Sequence, residues 1–182
     1  RAGNGLICPE LAMAWKQAGF EAPMEILRPA SITSDPAPRA SHSPVERLVD
    51  GMYSSSIYSA MWPAGQEAKI TLDLGKVVDI SSVSLREWHM NEGWDIAQRS
   101  LELSDDGFQQ DVRTPATPFT ETGTESWGNN VNTIYSAPIG QKARYLRLTA
   151  TPARTDSAVY IAEIEVRGTA PGATPEITDI TS

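Results

Sequence analysis

The chain has 182 residues, of which 40% are hydrophobic and 21% are charged, so it is long enough for one domain with a full core. Its formal net charge of −8 argues against nucleic acids and anionic membranes as partners, because both need a basic surface. No apolar run approaches the roughly 20 residues of a membrane-spanning helix, and the single cysteine, Cys8, cannot form a disulfide within the chain.

The first predicted element is a helix at residues 9–20. Its apolar residues share one face at spacings of three and four: Leu11, Ala14, Trp15 and Ala18. Pro9 suits the first turn and Gly19 suits the end. The helix either docks on a partner, packs on its own domain or belongs to a preceding one. We assign residues 1–25 to an N-terminal extension with this one helix.

An Asp-Gly turn follows a Pro- and Ser-rich loop at residues 30–44. Asp50 and Gly51 close a short apolar run, and this pair is typical of a turn because Asp bonds its own backbone and Gly accepts positive φ. Such a turn gathers oxygen atoms, which suit a hard cation such as Ca²⁺. From these residues alone, a turn without metal is an equally good interpretation.

Short strands fill the rest of the chain. Alternating apolar and polar residues predict strands at residues 69–74, 78–86, 98–104, 108–113, 133–136, 144–150 and 159–166. Many short strands with almost no helix predict an all-β antiparallel sandwich or barrel. Residues 169–182 have linker composition, and within them residues 176–180 resemble the first strand of a following module. Because the chain starts at Arg1, we expect a piece of a longer protein.

Five motifs in order resemble the discoidin family, also called coagulation factor 5/8 C-type domains, which are galactose-binding-like. They are LVDG at 48–51, ITLDLG at 70–75, LELSDDG at 101–107, ARYLRL at 143–148 and AEIEV at 162–166. The resemblance implies an antiparallel jelly-roll β-sandwich over residues 26–168. The bacterial branch of the family includes the family 32 carbohydrate-binding modules, which this chain resembles most.

The resemblance also implies a structural Ca²⁺ that joins the first long loop to the last strand. The implied ligands are the carboxylates of Asp50 and Glu163, backbone carbonyls near Leu48, Tyr53 and Ala162, and the hydroxyl of Ser55. Trp62 lies further beyond Ser55 than its family counterpart does, so the hydroxyl ligand stays open. We assign Trp62 itself to the core.

Tryptophans and amides in two loop-like stretches predict a glycan site. A flat ring stacks on the C–H face of a sugar, while amides, imidazole and guanidinium groups bond its hydroxyls. We expect residues 88–94 and 127–130 to meet at one end of the sandwich. The candidates are Trp88, Trp94 and Trp127 for stacking, with His89, Asn91, Asn129, Asn130 and Arg154 for the hydroxyls. Alternatively, one or more of these tryptophans plugs the end of the sandwich.

Sugar specificity is not carried over from the family. Galactose-binding members place an Arg and then an Asn-Gly turn after the strand at 83–86, where this chain has Trp88 and His89. Catalysis has little support, because two histidines and one cysteine form neither a zinc cluster nor a recognisable nucleophile–base pair. The chain is therefore not expected to be an enzyme.

These observations predict a non-catalytic carbohydrate-binding module of a secreted, multimodular bacterial protein, located outside the cell or at its surface. Its partners would be a glycan and the attached modules, and it would target a glycan-active enzyme to polysaccharide or glycoconjugate. The alternative is a structural or adhesive β-sandwich that mediates contacts between domains or proteins without a sugar pocket. The two differ in whether the tryptophans converge, open to solvent, at one end.

Overall fold

The computed structural model describes residues 24–52, 59–89, 96–127 and 130–169. The helix predicted at residues 9–20 and the segment after Thr169 lie outside these ranges, and the predicted domain boundaries stay predictions. Among the described residues, no helix has the length and apolar character needed to cross a membrane. The described elements are β1 (Glu25–Ile26), β2 (Ser31–Asp35), a 3₁₀ helix (Val45–Val49), β3 (Ala60–Trp62), β4 (Ala68–His89), β5 (Ile96–Ser104), β6 (Thr120–Trp127), β7 (Asn130–Pro152) and β8 (Val159–Thr169).

All strand pairings are antiparallel, and two long strands run through both halves of a sandwich. β2 and β5 flank the first part of β4 and the last part of β7, which makes one half. β6 and β8 flank the last part of β4 and the first part of β7, which makes the other, with β1 and β3 on β8. This arrangement confirms the predicted all-β antiparallel sandwich.

β4 and β7 can pass from one half to the other because their backbone bends at glycines. Gly75 and Gly140 have φ of 77° and 61°, in a backbone region that residues with a Cβ atom rarely adopt. The β4–β7 ladder shifts register between Asp73 and Val78, around the first of these glycines. The two strands predicted at 69–74 and 78–86 are therefore parts of one continuous strand, β4. Likewise, the strands predicted at 133–136 and 144–150 are both parts of β7.

The core lies between the two halves and follows the alternation read from the sequence. Inward-facing residues of both halves are almost completely buried, among them Ile70, Leu72, Val83, Leu85, Leu103, Leu146, Leu148, Ile161 and Val166. Trp62 is fully buried, and its indole N–H donates to Ser34 Oγ at 3.0 Å and to the Pro36 carbonyl at 2.8 Å. The assignment of Trp62 to the core is confirmed.

The sandwich has two distinct ends. Glu25 pairs with Gly168, so both described termini lie at the end where β4 and β7 bend, called here the terminal end. β4 begins and ends at the opposite end of the sandwich. Ala150 of β7 pairs both with Ala68, the first residue of β4, and with Arg99 of β5. The Arg99 side chain contacts Glu87, which lies near the last residue of β4. This opposite end, called the loop end, carries the loops around residues 36–43 and 153–158.

Two sequence expectations about secondary structure were wrong, and one strand was missed. Residues 30–44, expected to form a loop, contain β2 at Ser31–Asp35, which pairs with β4. Residues 108–113 form only one isolated bridge, between Leu103 and Arg113, because the Asp106 carboxylate accepts the N–H groups of Gln109, Gln110 and Asp111 and folds the chain into a turn. The edge strand β6 was not predicted. Its sequence, TETGTESW, lacks the apolar alternation of a half-buried strand because it is largely exposed.

Candidate functional site

A small aromatic cluster lies at the loop end, separate from the main core. Met61, Trp88, Ala158 and Tyr160 are buried against one another. The rings of Trp88 and Tyr160 lie 5.3 Å apart at 54°, and the ring of His42 meets Tyr160 edge-on at 5.6 Å and 75°. These five residues, called here the aromatic corner, place the half-buried imidazole of His42 against the buried phenol of Tyr160.

A β-bulge in β8 makes the aromatic corner. Arg86 of β4 pairs with Glu163, but the next residue, Glu87, pairs with Ile161, so Ala162 is an extra residue on β8. Because of this extra residue, Tyr160 and Glu163 lie on the same outer face of the sheet, although their separation in an unbroken strand would place them on opposite faces.

The loop before the 3₁₀ helix is held against β3 and carries His42. Arg39 N–H donates to the Met61 carbonyl at 2.8 Å, His42 N–H donates to the Arg39 carbonyl at 3.0 Å, and Ser43 N–H donates to the Ser59 carbonyl at 3.2 Å. His42 is half-buried and Arg39 is exposed. Sequence reasoning missed both residues, although an arginine and a histidine together in one short loop were the available signal.

The strand residues that flank the predicted glycan loops lie on neighbouring strands. His89 pairs with Val131, and Trp127 pairs with Asn130 in the β6–β7 hairpin, so the end of β4 and this hairpin share the loop end. Three of the predicted site residues, Asn91, Trp94 and Asn129, lie outside the described residues. The ligand roles assigned to residues in these loops stay predictions.

Trp88 differs from the expectation of a ring open to solvent. Its side chain is only 4% exposed, because it projects from the outer face of β4 directly onto Tyr160 and Met61. In this position Trp88 supports the aromatic corner from below and offers little free ring face for stacking.

Arg154 is exposed in the loop that joins β7 to β8, at the loop end. Its guanidinium donates to the Asp156 carboxylate at 2.8 and 3.2 Å, and the Ser157 N–H donates to its carbonyl at 3.1 Å. Both side chains of the pair are more than half exposed, and such a pair contributes about 1 kcal/mol or less. The guanidinium can therefore exchange this partner for a ligand hydroxyl at little cost.

A buried ion pair joins the two halves beneath the loop end. Glu87 is 1% exposed, and both of its carboxylate oxygens accept from the Arg99 guanidinium. The same guanidinium lies 3.6 Å above the centre of the Tyr135 ring. This pair fixes the last residues of β4, from which Trp88 projects.

Two acidic residues meet beside the aromatic corner. Asp50 follows the 3₁₀ helix, Gly51 has φ of 80°, and the Met52 N–H donates to Asp50 Oδ1 at 2.7 Å, which confirms the predicted Asp-Gly turn. The Gly51 N–H also donates to Glu163 Oε1 at 3.1 Å. The turn is therefore held directly against β8, as a cation joining the two would require.

The Glu163 carboxyl is buried and only partly balanced by charge, since Arg86 opposes the effect of burial on its pKa. It is 5% exposed, and among the described residues its Oε2 atom has no hydrogen-bond partner. Burial raises the pKa of Glu163 to about 8, the Gly51 N–H opposes this rise, and the negative charge of Asp50 adds to it. A cation placed between the two carboxylates would remove both the repulsion and the unpaired oxygen.

These residues fit a hard cation. Carboxylate and carbonyl oxygens are the ligands that Ca²⁺ prefers. Leu48 and Ala162 are buried next to the two acids, whereas Tyr53 and Ser55 lie outside the described residues. No group of three or more His, Cys, Asp or Glu suited to a metal occurs within the described ranges, so a cation here would rely on two carboxylates and on carbonyls.

Comparison with known proteins identifies the fold. No family model and no curated protein matches the chain. Among solved structures, it is similar to the family 32 module of AlyQ in complex with 4,5-unsaturated mannuronic acid, at 20% identity over 78% of this chain and 97% of that one, with a TM-score of 0.53.

Two further structures are similar in the same way. A chitosan-binding module from a Paenibacillus chitosanase/glucanase has 19% identity over 78% of this chain and 96% of that one, with a TM-score of 0.57. A Clostridium perfringens family 32 module in complex with GalNAc-β-1,3-galactose has 16% identity over 78% and 99%, with a TM-score of 0.56. The chain therefore has the discoidin-like fold of family 32 carbohydrate-binding modules.

Proposed function

We propose that this chain is a non-catalytic carbohydrate-binding module whose glycan site lies at the loop end. The observation that carries the proposal is the aromatic corner, where His42 and Tyr160 meet on top of Trp88. The end of β4 and the β6–β7 hairpin border the same end of the sandwich. Solved modules with this fold hold sugars in their complexes, which supports a glycan as the ligand.

In the proposed site, polar side chains bind the sugar hydroxyls and aromatic side chains stack on the sugar ring. His42, Arg39 and Arg154 bond sugar hydroxyls, together with His89, Asn91, Asn129 and Asn130. Trp94 and Trp127 supply the stacking face, because Trp88 is already packed under Tyr160. A shallow site of this kind leaves much of the sugar hydrated, so we expect a dissociation constant of about 0.1 to 1 mM, or about 4 to 5.5 kcal/mol.

The module would act by targeting and not by chemistry. We propose that it belongs to a secreted bacterial protein, outside the cell or on its surface, and directs an attached glycan-active enzyme to polysaccharide or glycoconjugate. The first and last strands of the sandwich support this arrangement. Glu25 and Gly168 pair at the terminal end, so the chain enters and leaves the described sandwich away from the loop end.

We also propose that a structural Ca²⁺ binds beside the site. Asp50 and Glu163 would hold it, with carbonyls near Leu48, Tyr53 and Ala162 and the Ser55 hydroxyl. The cation would neutralise the two carboxylates. The Oε2 atom of the buried Glu163, which has no hydrogen-bond partner among the described residues, supports this assignment.

A glycan array followed by isothermal titration calorimetry tests the proposed function. The wild type should bind at least one glycan in the millimolar range, and His42→Ala and Trp127→Ala should each weaken binding by tenfold or more, since one hydrogen bond or stack of about 1.4 kcal/mol is lost. Phe108→Ala removes an aromatic ring at the terminal end and should bind like the wild type. Absence of binding to every glycan at millimolar concentration would contradict the proposal.

One observation favours the alternative of a structural or adhesive module. Trp88 is buried beneath Tyr160. A tryptophan whose only role is to cover the end of the hydrophobic core would be placed in the same way. If Trp88→Phe lowers the melting temperature and the wild type binds no glycan, this alternative replaces the first proposal.

A further inference from the structure

The aromatic corner and the acidic pair are built from the same two pieces of chain. Residues 39–52, called here the bridging segment, carry both His42 and Asp50. β8 carries both of their counterparts, Tyr160 and Glu163, on one face because of the bulge at Ala162. A shift of the bridging segment on β8 would therefore change both the contact of His42 with Tyr160 and the contact of the Asp-Gly turn with Glu163.

The bridging segment is stiff between its two contact points. Val45 and Leu48 in the 3₁₀ helix are buried in the core, with Leu48 fully covered. The Ser43 N–H donates to the Ser59 carbonyl at 3.2 Å, and Arg28 Nη1 donates to the Val49 carbonyl at 3.1 Å. These contacts place His42 and Asp50 on one continuously packed stretch of chain, which is the physical link between the two contact points.

The attachment at the acidic end brings the Asp-Gly turn onto a buried carboxyl group. The Gly51 N–H donates to Glu163 Oε1 at 3.1 Å, and Asp50 immediately precedes Gly51. Arg47 Nη1 lies 3.7 Å from Asp50 Oδ2. Among the described residues, the Oε2 atom of the buried Glu163 has no hydrogen-bond partner.

We propose that Asp50 and Glu163 are positioning residues for the glycan site: a cation that balances their charge fixes the bridging segment on β8 and holds His42 against Tyr160. The inference rests on the proposed glycan site and cation. Cation and glycan then bind cooperatively, and by linkage each raises the affinity of the other by the same factor. We expect a factor of about ten, within the range of about 5 to 150 usual for coupled sites.

Titration calorimetry in calcium chloride and in EGTA tests the coupling. The wild type should bind its glycan about tenfold more weakly in EGTA, at a temperature where circular dichroism shows both forms folded. In Glu163→Gln the amide can still accept from Gly51 but offers the cation no carboxylate, so the affinity should be independent of calcium. In His42→Ala, binding should be weak with and without calcium. Asp105→Asn, at the terminal end, is the matched control and should keep the calcium dependence of the wild type.

A second readout does not depend on any glycan. Calcium titrated into the wild type should shift the His42 ring proton signals, because the Tyr160 ring next to them shields them differently once the segment is fixed. His42→Ala assigns these signals, and Glu163→Gln should remove the response. If Glu163→Gln fails to fold, Asp50→Asn serves in its place.

The outcomes separate the inference from the proposed function. Equal glycan affinity in calcium and EGTA overturns the inference and leaves the glycan site standing. A calcium-dependent His42 shift without binding of any glycan supports the positioning role and contradicts the proposed function. Absence of any His42 shift on calcium addition overturns the inference directly.

Discussion

Tyr160 and Glu163 show how single residues acquire their roles from a backbone irregularity. The bulge at Ala162 places both on the outer face of β8, one in the aromatic corner and one beside Asp50. The acidic pair was predictable, because the family resemblance pointed to both carboxylates. Tyr160 was not, because an alternating strand sequence does not reveal where one residue is inserted into the ladder.

The buried ion pair gives a prediction at the residue scale. Arg99→Met should destabilise the protein by about 3 to 5 kcal/mol, because it removes the guanidinium that balances the buried Glu87 carboxylate. The double variant Glu87→Gln, Arg99→Met should recover a large part of that loss. Urea unfolding measures both, and Arg154→Met, which breaks an exposed pair, should cost about 1 kcal/mol or less. If Arg99→Met lowers the free energy of unfolding as little as Arg154→Met does, the buried pair of Glu87 and Arg99 contributes no more than an exposed pair.

Asp106 gives a pH dependence. Burial opposes ionisation of Asp106, but N–H groups of Gln110, Asp111 and Gln109 and the Ser104 hydroxyl outweigh it and lower the pKa from 3.8 to about 2. The folded-state pKa lies below the unfolded value, so this carboxylate contributes its full stabilisation above the unfolded pKa and loses it as the pH falls towards about 2.

Melting temperatures between about pH 5 and pH 2 test this contribution. Asp106→Asn should melt at a lower temperature than the wild type near pH 5, and the difference should shrink as the pH falls. Asp156→Asn, at the loop end, is the control and should follow the wild type. A constant difference between Asp106→Asn and the wild type across this range would contradict the assignment.

At the scale of elements, the sequence predicted interior strands well and boundaries or edges poorly. The apolar alternation of β4, β5, β7 and β8 was readable because these strands pack on the core. β6 was not predicted because both of its faces are largely exposed. Residues 108–113 were wrongly predicted as a strand, because hydrogen bonds from their backbone to the Asp106 carboxylate compete with strand pairing. The continuity of β4 through Gly75 depends on the other half of the sandwich, which local sequence does not encode.

Gly168 in β8 gives a prediction at this scale. A Cβ at this position would clash with the Asp79 carbonyl oxygen and lie 2.9 Å from Leu27 Cδ1, so Gly168→Ala forces β8 away from β4. We expect a loss of about 1 to 3 kcal/mol in urea unfolding. Gly123→Ala in β6 is the matched control, since its Cβ would meet nothing within 4 Å. Equal stabilities for the two variants would mean that β8 and β4 are not in close contact there.

At the scale of the whole molecule, the cation would tie residues that are far apart in the chain. A ligand that binds only the folded state stabilises it by mass action, about 2.7 kcal/mol at a hundredfold excess over the dissociation constant. The wild type should therefore melt at a higher temperature in calcium than in EGTA, and Glu163→Gln should show little difference. Identical melting curves for the wild type in the two conditions would exclude the proposed calcium site.

The separation of the two ends is the whole-molecule basis of the proposed function. Glu25 and Gly168 pair at the terminal end, whereas the aromatic corner, Arg154 and the last residue of β4, His89, lie at the loop end. The convergence of the predicted glycan loops was predicted from their tryptophans and amides, and it stays a prediction. The sequence did not indicate Arg39 or His42, because their position depends on backbone hydrogen bonds to β3 and to one another and not on any local pattern.

Chemical-shift mapping by two-dimensional NMR with a glycan selected on an array tests the central claim most directly. Titration should move the signals of His42, Trp88, Tyr160 and their neighbours at the loop end, while those of Phe108, Lys142 and Gly168 at the terminal end stay in place. Signals that move only at the terminal end, or spread over the face of a sheet without reaching His42 and Tyr160, would contradict a glycan site at the loop end.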